Sequence, residues 1–200
     1  MLRIIAGRYK GRRLKMVPDS RVRPLPAKLR ESLFNILQSR IREALVLDGF
    51  AGTGSIGIEA LSRGASRAVF VEELTQATKI IQANLNKCEA EEYGLIINRE
   101  FNRAVIDLSK KGLKFDLIFL DPPYRLLAER NPLKVIRKRG ILKPEGLLII
   151  RHHRRYSPSR EDFKLWRQVD FGDDIISIYT GEVIATPKKD LKNQIQLEKY

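Results

Sequence analysis

An α/β fold built on a mostly parallel sheet is the architecture this sequence predicts, and three observations carry the prediction. Short apolar segments alternate with helix-spaced segments from Ala44 to Arg151. A glycine-rich turn, Gly52-Thr53-Gly54-Ser55-Ile56-Gly57, joins the first of these strands to the first helix after it. The alternation then gives way to two strands parted by Gly172-Asp173-Asp174, a hairpin signal that adds an antiparallel pair to the sheet edge.

Taken in order, Leu2–Ala6 and Arg13–Val17 read as two short strands around the basic turn Gly7–Gly11. A Pro-rich connection, 18–26, leads to a helix over Ala27–Ser39, where Leu29, Leu33, Ile36 and Leu37 recur at helical spacing. Ala44–Asp48 is a strand, and Ser55–Arg63 a helix stopped by Gly64. Ala68–Glu72, Leu95–Asn98, Phe115–Leu120 and Leu147–Arg151 are the next strands. Helices are expected over Leu74–Cys88, near Arg103–Lys110, and between Arg125 and Arg139, the last interrupted or restarted at Asn131-Pro132. Leu165–Phe171 and Ile175–Tyr179 form the terminal hairpin, giving seven strands, and a polar tail follows.

Composition narrows the classes. At 43% hydrophobic residues the chain can build a core, yet no apolar run approaches the roughly 20 residues of a membrane span. No apolar run suited to secretion opens the chain, and a single cysteine, Cys88, excludes an internal disulfide; a reducing cytoplasm is the expected setting. Cys88 falls on an apolar helix stripe and reads as a core residue. Of the net charge of +14, residues 1–42 hold twelve basic and two acidic side chains, or +10, which leaves +4 for the rest. That asymmetry points to a polyanion, nucleic acid foremost. The expected division is therefore a basic docking extension over 1–42, an α/β domain over 43–185 and a tail over 186–200.

Gly52, Gly54 and Gly57 satisfy G-x-G-x-x-G between strand and helix, and Glu72 lies 20 residues beyond Gly52 at the end of the second strand. That context suits a nucleotide-type ligand, with glycines for close approach and an acid for ribose hydroxyls. Asp48 at the mouth of the loop would repel a pyrophosphate. It favours a ligand with an ammonium and a sulfonium, S-adenosylmethionine, over a nicotinamide dinucleotide. Asp48, Phe50, Ala51, Gly52, Thr53, Gly54 and Glu72 are the expected cofactor contacts.

The fourth strand runs directly into Asp121-Pro122-Pro123-Tyr124. Paired prolines fix two φ angles and remove two N–H donors. The Asp121 carboxylate and the Pro122 carbonyl are thereby rigid acceptors beside an aromatic ring, a set suited to a planar base with an exocyclic amine. Asp121, Pro122 and Tyr124 are the expected catalytic residues, with Pro123 at the substrate. His152-His153 lies among Arg151, Arg154 and Arg155, and without carboxylate or thiol partners at ligand spacing no metal is expected.

The strings Asp48-x-Phe50-x-Gly52-x-Gly54 and Asp121-Pro122-Pro123-Tyr124 resemble the amino-methyltransferases. Arg3-Ile4-Ile5-Ala6-Gly7, Lys10-Gly11-Arg12, Arg23-Pro24 and Arg30-Glu31-Ser32-Leu33-Phe34-Asn35-Ile36-Leu37 narrow this to the RsmD-type family. So do Glu59–Ala65, Phe70-Val71-Glu72 and Phe171-Gly172-Asp173 with Ile176–Tyr179, and the resemblance spans about residues 2–182. It implies a Rossmann-like class I methyltransferase fold and S-adenosylmethionine as methyl donor. It also implies, as target, guanine N2 of small-subunit ribosomal RNA, met in a ribosomal particle by a monomeric enzyme. Asn102 is placed near the adenine, where many relatives carry an acid. Arg8, Lys10, Arg12, Arg13, Arg23 and Arg30 are placed on the RNA. Three further departures stand out: Gly49 for a bulky apolar residue, Leu25-Pro26 for a threonine-containing stretch, and Arg151 where the fifth strand often ends in an acid. The rival readings are a DNA adenine or cytosine amino-methyltransferase and a non-catalytic RNA-binding module on the same scaffold.

Overall fold

The structure is a computed structural model that describes residues 2–19, 24–123, 126–127, 131–156, 158 and 162–182. Its strands are β1 Leu45–Gly49, β2 Arg67–Glu72, β3 Gly94–Asn98, β4 Phe115–Leu120, β5 Leu142–His153, β6 Leu165–Phe171 and β7 Asp174–Thr180. Its helices are α1 Ala27–Leu37, α2 Ser55–Ser62, α3 Thr75–Cys88, α4 Phe101–Lys110 and α5 Pro132–Arg139. All seven strands form one sheet in the order β3-β2-β1-β4-β5-β7-β6. β1 to β5 run parallel, and β7 enters antiparallel between β5 and β6.

Alternation along each strand divides the core into two layers. Val46, Leu117 and Phe119 face one side, with Leu33 and Phe34 of α1, Ile58 of α2 and Ile81 of α3. Leu47, Ile118 and Leu120 face the other, with Phe101, Ala104 and Val105 of α4 and Leu133 and Ile136 of α5. Both faces are covered, so the central strands carry near-continuous apolar runs. Cys88 is fully buried in the first layer, and burial raises its thiol above the usual range.

Three expectations need adjustment, and one is met. The N-terminal strands shrink to a single bridge, Arg3 to Arg13. Ile4 and Leu14 donate across the turn to Arg12 and Leu2, but the next inward-facing amide, that of Ala6, donates to Glu59 of α2 instead, while the outward-facing amides of Ile5 and Lys15 donate to Glu59 and to Asn84 of α3. β5 begins at Leu142, not Leu147, because Leu142 already pairs with Phe115 across a register shift. The last helix starts at Pro132, at the expected point, with the Asn131 side chain capping the Lys134 amide at 3.1 Å. Finally, residue 42 is no packing boundary. α1 stacks Phe34 on Phe119 of β4 at 5.8 Å, and Leu2, Ile4, Tyr9 and Leu14 join the same core. The tail 186–200 lies outside the described residues.

Candidate functional site

A cleft of about 870 Å³ opens at the carboxyl ends of β1, β2, β4 and β5, where parallel sheets leave room between diverging loops. Asp48, the penultimate residue of β1, anchors it. Its buried carboxyl accepts the Gly57 amide at 2.8 Å, which fixes the start of α2 to the strand end. Burial pushes this carboxyl up to about 8. The Gly57 hydrogen bond opposes the rise, and the charges of Asp121 and Glu72 add to it.

The loop after β1 turns through left-handed backbone at Phe50 (φ 62°), Gly52 (φ 54°) and Gly54 (φ 74°). At Gly57 an added Cβ would lie 2.3 Å from the Phe70 ring, so only glycine lets α2 pack so closely on β2. Glu72 braces the loop: one carboxylate oxygen accepts the Gly52 amide at 2.8 Å and the other accepts the Leu74 amide at 2.9 Å. Each oxygen keeps a second lone-pair site. Ala51, Gly52, Thr53, Glu72 and Glu73 line the cleft, while Gly54 turns the chain behind them.

Phe50 stacks on Phe101 at 4.8 Å, and both rings line the cleft. Gly49, the departure from a bulky apolar residue, leaves no gap here. A Cβ there would sit 2.5 Å from the Phe101 ring, so Phe101 fills the volume that a bulky side chain at 49 would need. The expected adenine contact is corrected too. Arg99, Glu100 and Phe101 form that wall, and Asn102 does not line it. Glu100 caps α4, accepting the Asn102 and Arg103 amides at 3.1 and 3.0 Å.

Opposite the glycine loop, Asp121, Pro122 and Pro123 line the cleft; Tyr124 lies outside the described residues. Arg151 of β5 donates to Asp121 at 3.1 Å and, through its other terminal nitrogen, to Asp174 of β7 at 2.8 Å. Burial raises the Asp121 carboxyl; the charge and hydrogen bond of Arg151 hold it down, and Asp174 pushes it up again. Pro24 and Leu25, just before α1, close this end of the cleft. His153 also lines it, whereas His152 turns into the core and meets Ser177 Oγ at 2.9 Å.

The basic extension sorts into two groups. Arg8, Lys10, Arg12 and Arg13 are exposed, with Arg8 over the Tyr9 ring at 5.7 Å and Arg12 tied to Glu89 at 3.0 Å. Arg30 is 1% exposed, which removes it from any RNA surface. Its guanidinium faces Glu59 at 3.7 Å and donates to the Arg3 carbonyl, because α1 buries this side against α2. Arg23 lies outside the described residues. Sequence reasoning missed Asn84. Its amide nitrogen donates to the carbonyls of Thr53 in the glycine loop, at 2.9 Å, and of Lys15 in the basic extension, at 3.1 Å. An amide amid the apolar spacing of α3 was its only signal.

The family described as Conserved hypothetical protein 95 matches residues 2–180. Ribosomal RNA small subunit methyltransferase D of Haemophilus influenzae is 34% identical over 154 residues, covering 74% of this chain and 77% of that protein. A solved protein of Thermus thermphillus superposes with a TM-score of 0.78 at 25% identity, over 90% of this chain and 99% of its own. An RNA methyltransferase from Salinibacter ruber, solved with S-adenosyl-L-homocysteine, superposes with a TM-score of 0.64 over 82% of this chain and 98% of its own. At 16% identity that last likeness is one of fold.

Proposed function

We propose, from the premise that this chain belongs to the RsmD-type family described as Conserved hypothetical protein 95, that it methylates small-subunit ribosomal RNA at the exocyclic N2 amine of a guanine. The observation that carries this reading is one cleft shared by the Asp48–Gly54 loop and the Asp121-Pro122 acceptors. The Haemophilus influenzae relative supports ribosomal RNA as the substrate, and the Salinibacter ruber protein's ligand supports the cofactor class.

The cleft suits S-adenosylmethionine on its own chemistry. A buried carboxyl raised by burial and two neighbouring acids favours a ligand that brings positive charge. Asp48 and Glu72 would hold its polar ends, with Phe50 and Phe101 against its flat base. When bound, the group supplies an electrophilic methyl on a sulfonium. The protein's part is to aim the amine. A guanine amine is a poor nucleophile because its lone pair is delocalised into the ring. Accepting its hydrogens at the Asp121 carboxylate and the Pro122 carbonyl localises that pair, and the same acceptors stabilise the cation that forms as nitrogen turns tetrahedral. The charged acceptor contributes about twice as much as the neutral one.

Docking of the RNA is assigned to the exposed side of the extension, Arg8, Lys10 and Arg13, from which the chain runs through Pro24 and Leu25 into the cleft. The test is methyl transfer from tritiated S-adenosylmethionine to small-subunit ribosomal RNA, free and in particles, followed by nucleoside mass spectrometry. N2-methylguanosine formed by the wild type and lost in Asp121→Ala is the expected result. N6-methyladenosine as the product would refute the guanine assignment.

A further inference from the structure

We propose that Arg151 is a positioning residue: clamped by Asp174, it fixes the direction in which the Asp121 carboxylate faces the cleft and supplies its counter-charge. This rests on the methyl-transfer reading given above. The ends of three strands build the device. Leu120 of β4 pairs with Ile150 of β5, so the next residues lie side by side, Asp121 just past the end of β4 and Arg151 still within β5. β7 runs back along β5 with Asp174 opposite His153, which brings a second carboxylate to the far side of the same guanidinium. The two contacts, 3.1 Å to Asp121 and 2.8 Å to Asp174, use different terminal nitrogens. A planar guanidinium held from one side by Asp174 presents its other edge to Asp121 in one orientation.

The charges around Asp121 give that role its purpose. Among the described residues, seven that bear carboxyls and two arginines line the cleft, and Arg99 is paired with Asp107 at 3.0 Å. Asp121 faces Arg151 from β5 and Asp174 from β7, and it is close enough to Asp48 of β1 to raise that carboxyl together with Glu72 of β2. His153 of β5 lines the same space. Without Arg151, a carboxyl in this company is pushed further toward its protonated form, which offers the amine one acceptor site fewer. A protonated Asp121 cannot draw both hydrogens toward acceptors, and its own O–H would point at a donor.

Carbon-13 NMR of aspartate carboxyls, with the Asp121 signal identified by its loss in Asp121→Asn, reads the titration without any substrate. Arg151→Met is expected to move the Asp121 midpoint up by about 1–3 pH units, the range for loss of an adjacent opposite charge. Arg151→Lys should restore most of it. Asp174→Asn removes a like charge and a competitor for the Arg151 guanidinium, so it should move the midpoint down. In tritiated methyl transfer to ribosomal RNA, the acid limb of kcat should shift in the same two directions. Calorimetric affinity for S-adenosylhomocysteine should stay within a factor of about three. A merely structural Arg151 would give no opposed shifts, and an unmoved Asp121 signal in folded Arg151→Met overturns the proposal. Should that variant not fold, shifts of Asp174→Asn and Arg151→Lys against their stated directions overturn it equally. Opposed shifts together with no methyl transfer by the wild type would keep the positioning role and sink the methyl-transfer reading instead.

Discussion

Asp48 is a carboxyl that the fold keeps protonated near neutrality, and this has a measurable consequence. A cation bound beside it lowers its pKa, so cofactor binding releases a proton. Calorimetry of S-adenosylhomocysteine in buffers of different ionisation enthalpy should show release approaching one proton per site around pH 6–7. It should fade above the value of about 8 at which the free carboxyl ionises. The sign for stability is opposite to that of a salt-bridged acid. Between the ordinary carboxyl range and about 8 the unfolded chain has released a proton that the folded chain still holds. Unfolding is therefore favoured as pH rises through that window, and Asp48→Asn should flatten this fall in a denaturant series. Glu72 offers a second check. Because it accepts the Gly52 and Leu74 amides, Glu72→Ala should weaken cofactor binding and also destabilise the loop, by about 1–3 kcal/mol for the stranded donors. A melting temperature equal to wild type in that variant would contradict the bracing role.

At the scale of elements, the basic extension and the glycine loop are joined through α3. Asn84→Ala strands the Lys15 amide and frees the Thr53 carbonyl. Cofactor affinity should drop several-fold although residue 84 is not part of the cleft wall, as titration calorimetry would show. The exposed side of the extension has its own signature. Affinity for single-stranded RNA falls with salt by about 0.7 log units per log unit of salt for each phosphate neutralised. Neutralising Arg8, Lys10 and Arg13 together should therefore lower that slope by about two. An unchanged slope would move the RNA footprint to the Arg151–Arg155 side. The same scale shows why the expected hairpin is so short: beyond Ile4 the next amide facing the partner segment, that of Ala6, is taken by Glu59.

For the molecule as a whole, the extension is part of the fold as well as a candidate docking surface. Glu59 is fully buried and receives the Ile5 and Ala6 amides, the Arg63 guanidinium at 2.8 Å and the facing charge of Arg30. At Gly7 an added Cβ would fall 1.8 Å from the Ser62 carbonyl oxygen, so the turn is pressed onto the end of α2. Removing residues 1–42 would uncover Phe119 and strip Glu59 of Arg30 and two amide donors, leaving it only Arg63. The remainder, 43–200, should lack cooperative melting and near-ultraviolet dichroism. A cooperatively melting 43–200 fragment would restore the boundary at residue 42.

Local patterns sufficed for the layout of this protein. The βα alternation, the glycine spacing, the Asp-Pro-Pro turn and the hairpin at Gly172 each depend on residues close in the chain, where periodicity and backbone preference act directly. The fold class, nearly every element and the cleft's two acceptor groups were legible for that reason. Contacts between distant segments were not. The burial of Arg30 against Glu59, the filling of Gly49's space by Phe101 and the row Asp121–Arg151–Asp174 each join residues that only packing brings together. A basic residue in a basic segment reads as surface. Only the tertiary structure decided which of these charges face solvent and which are held inside, because burial is a property of the neighbours a side chain acquires and not of the side chain itself.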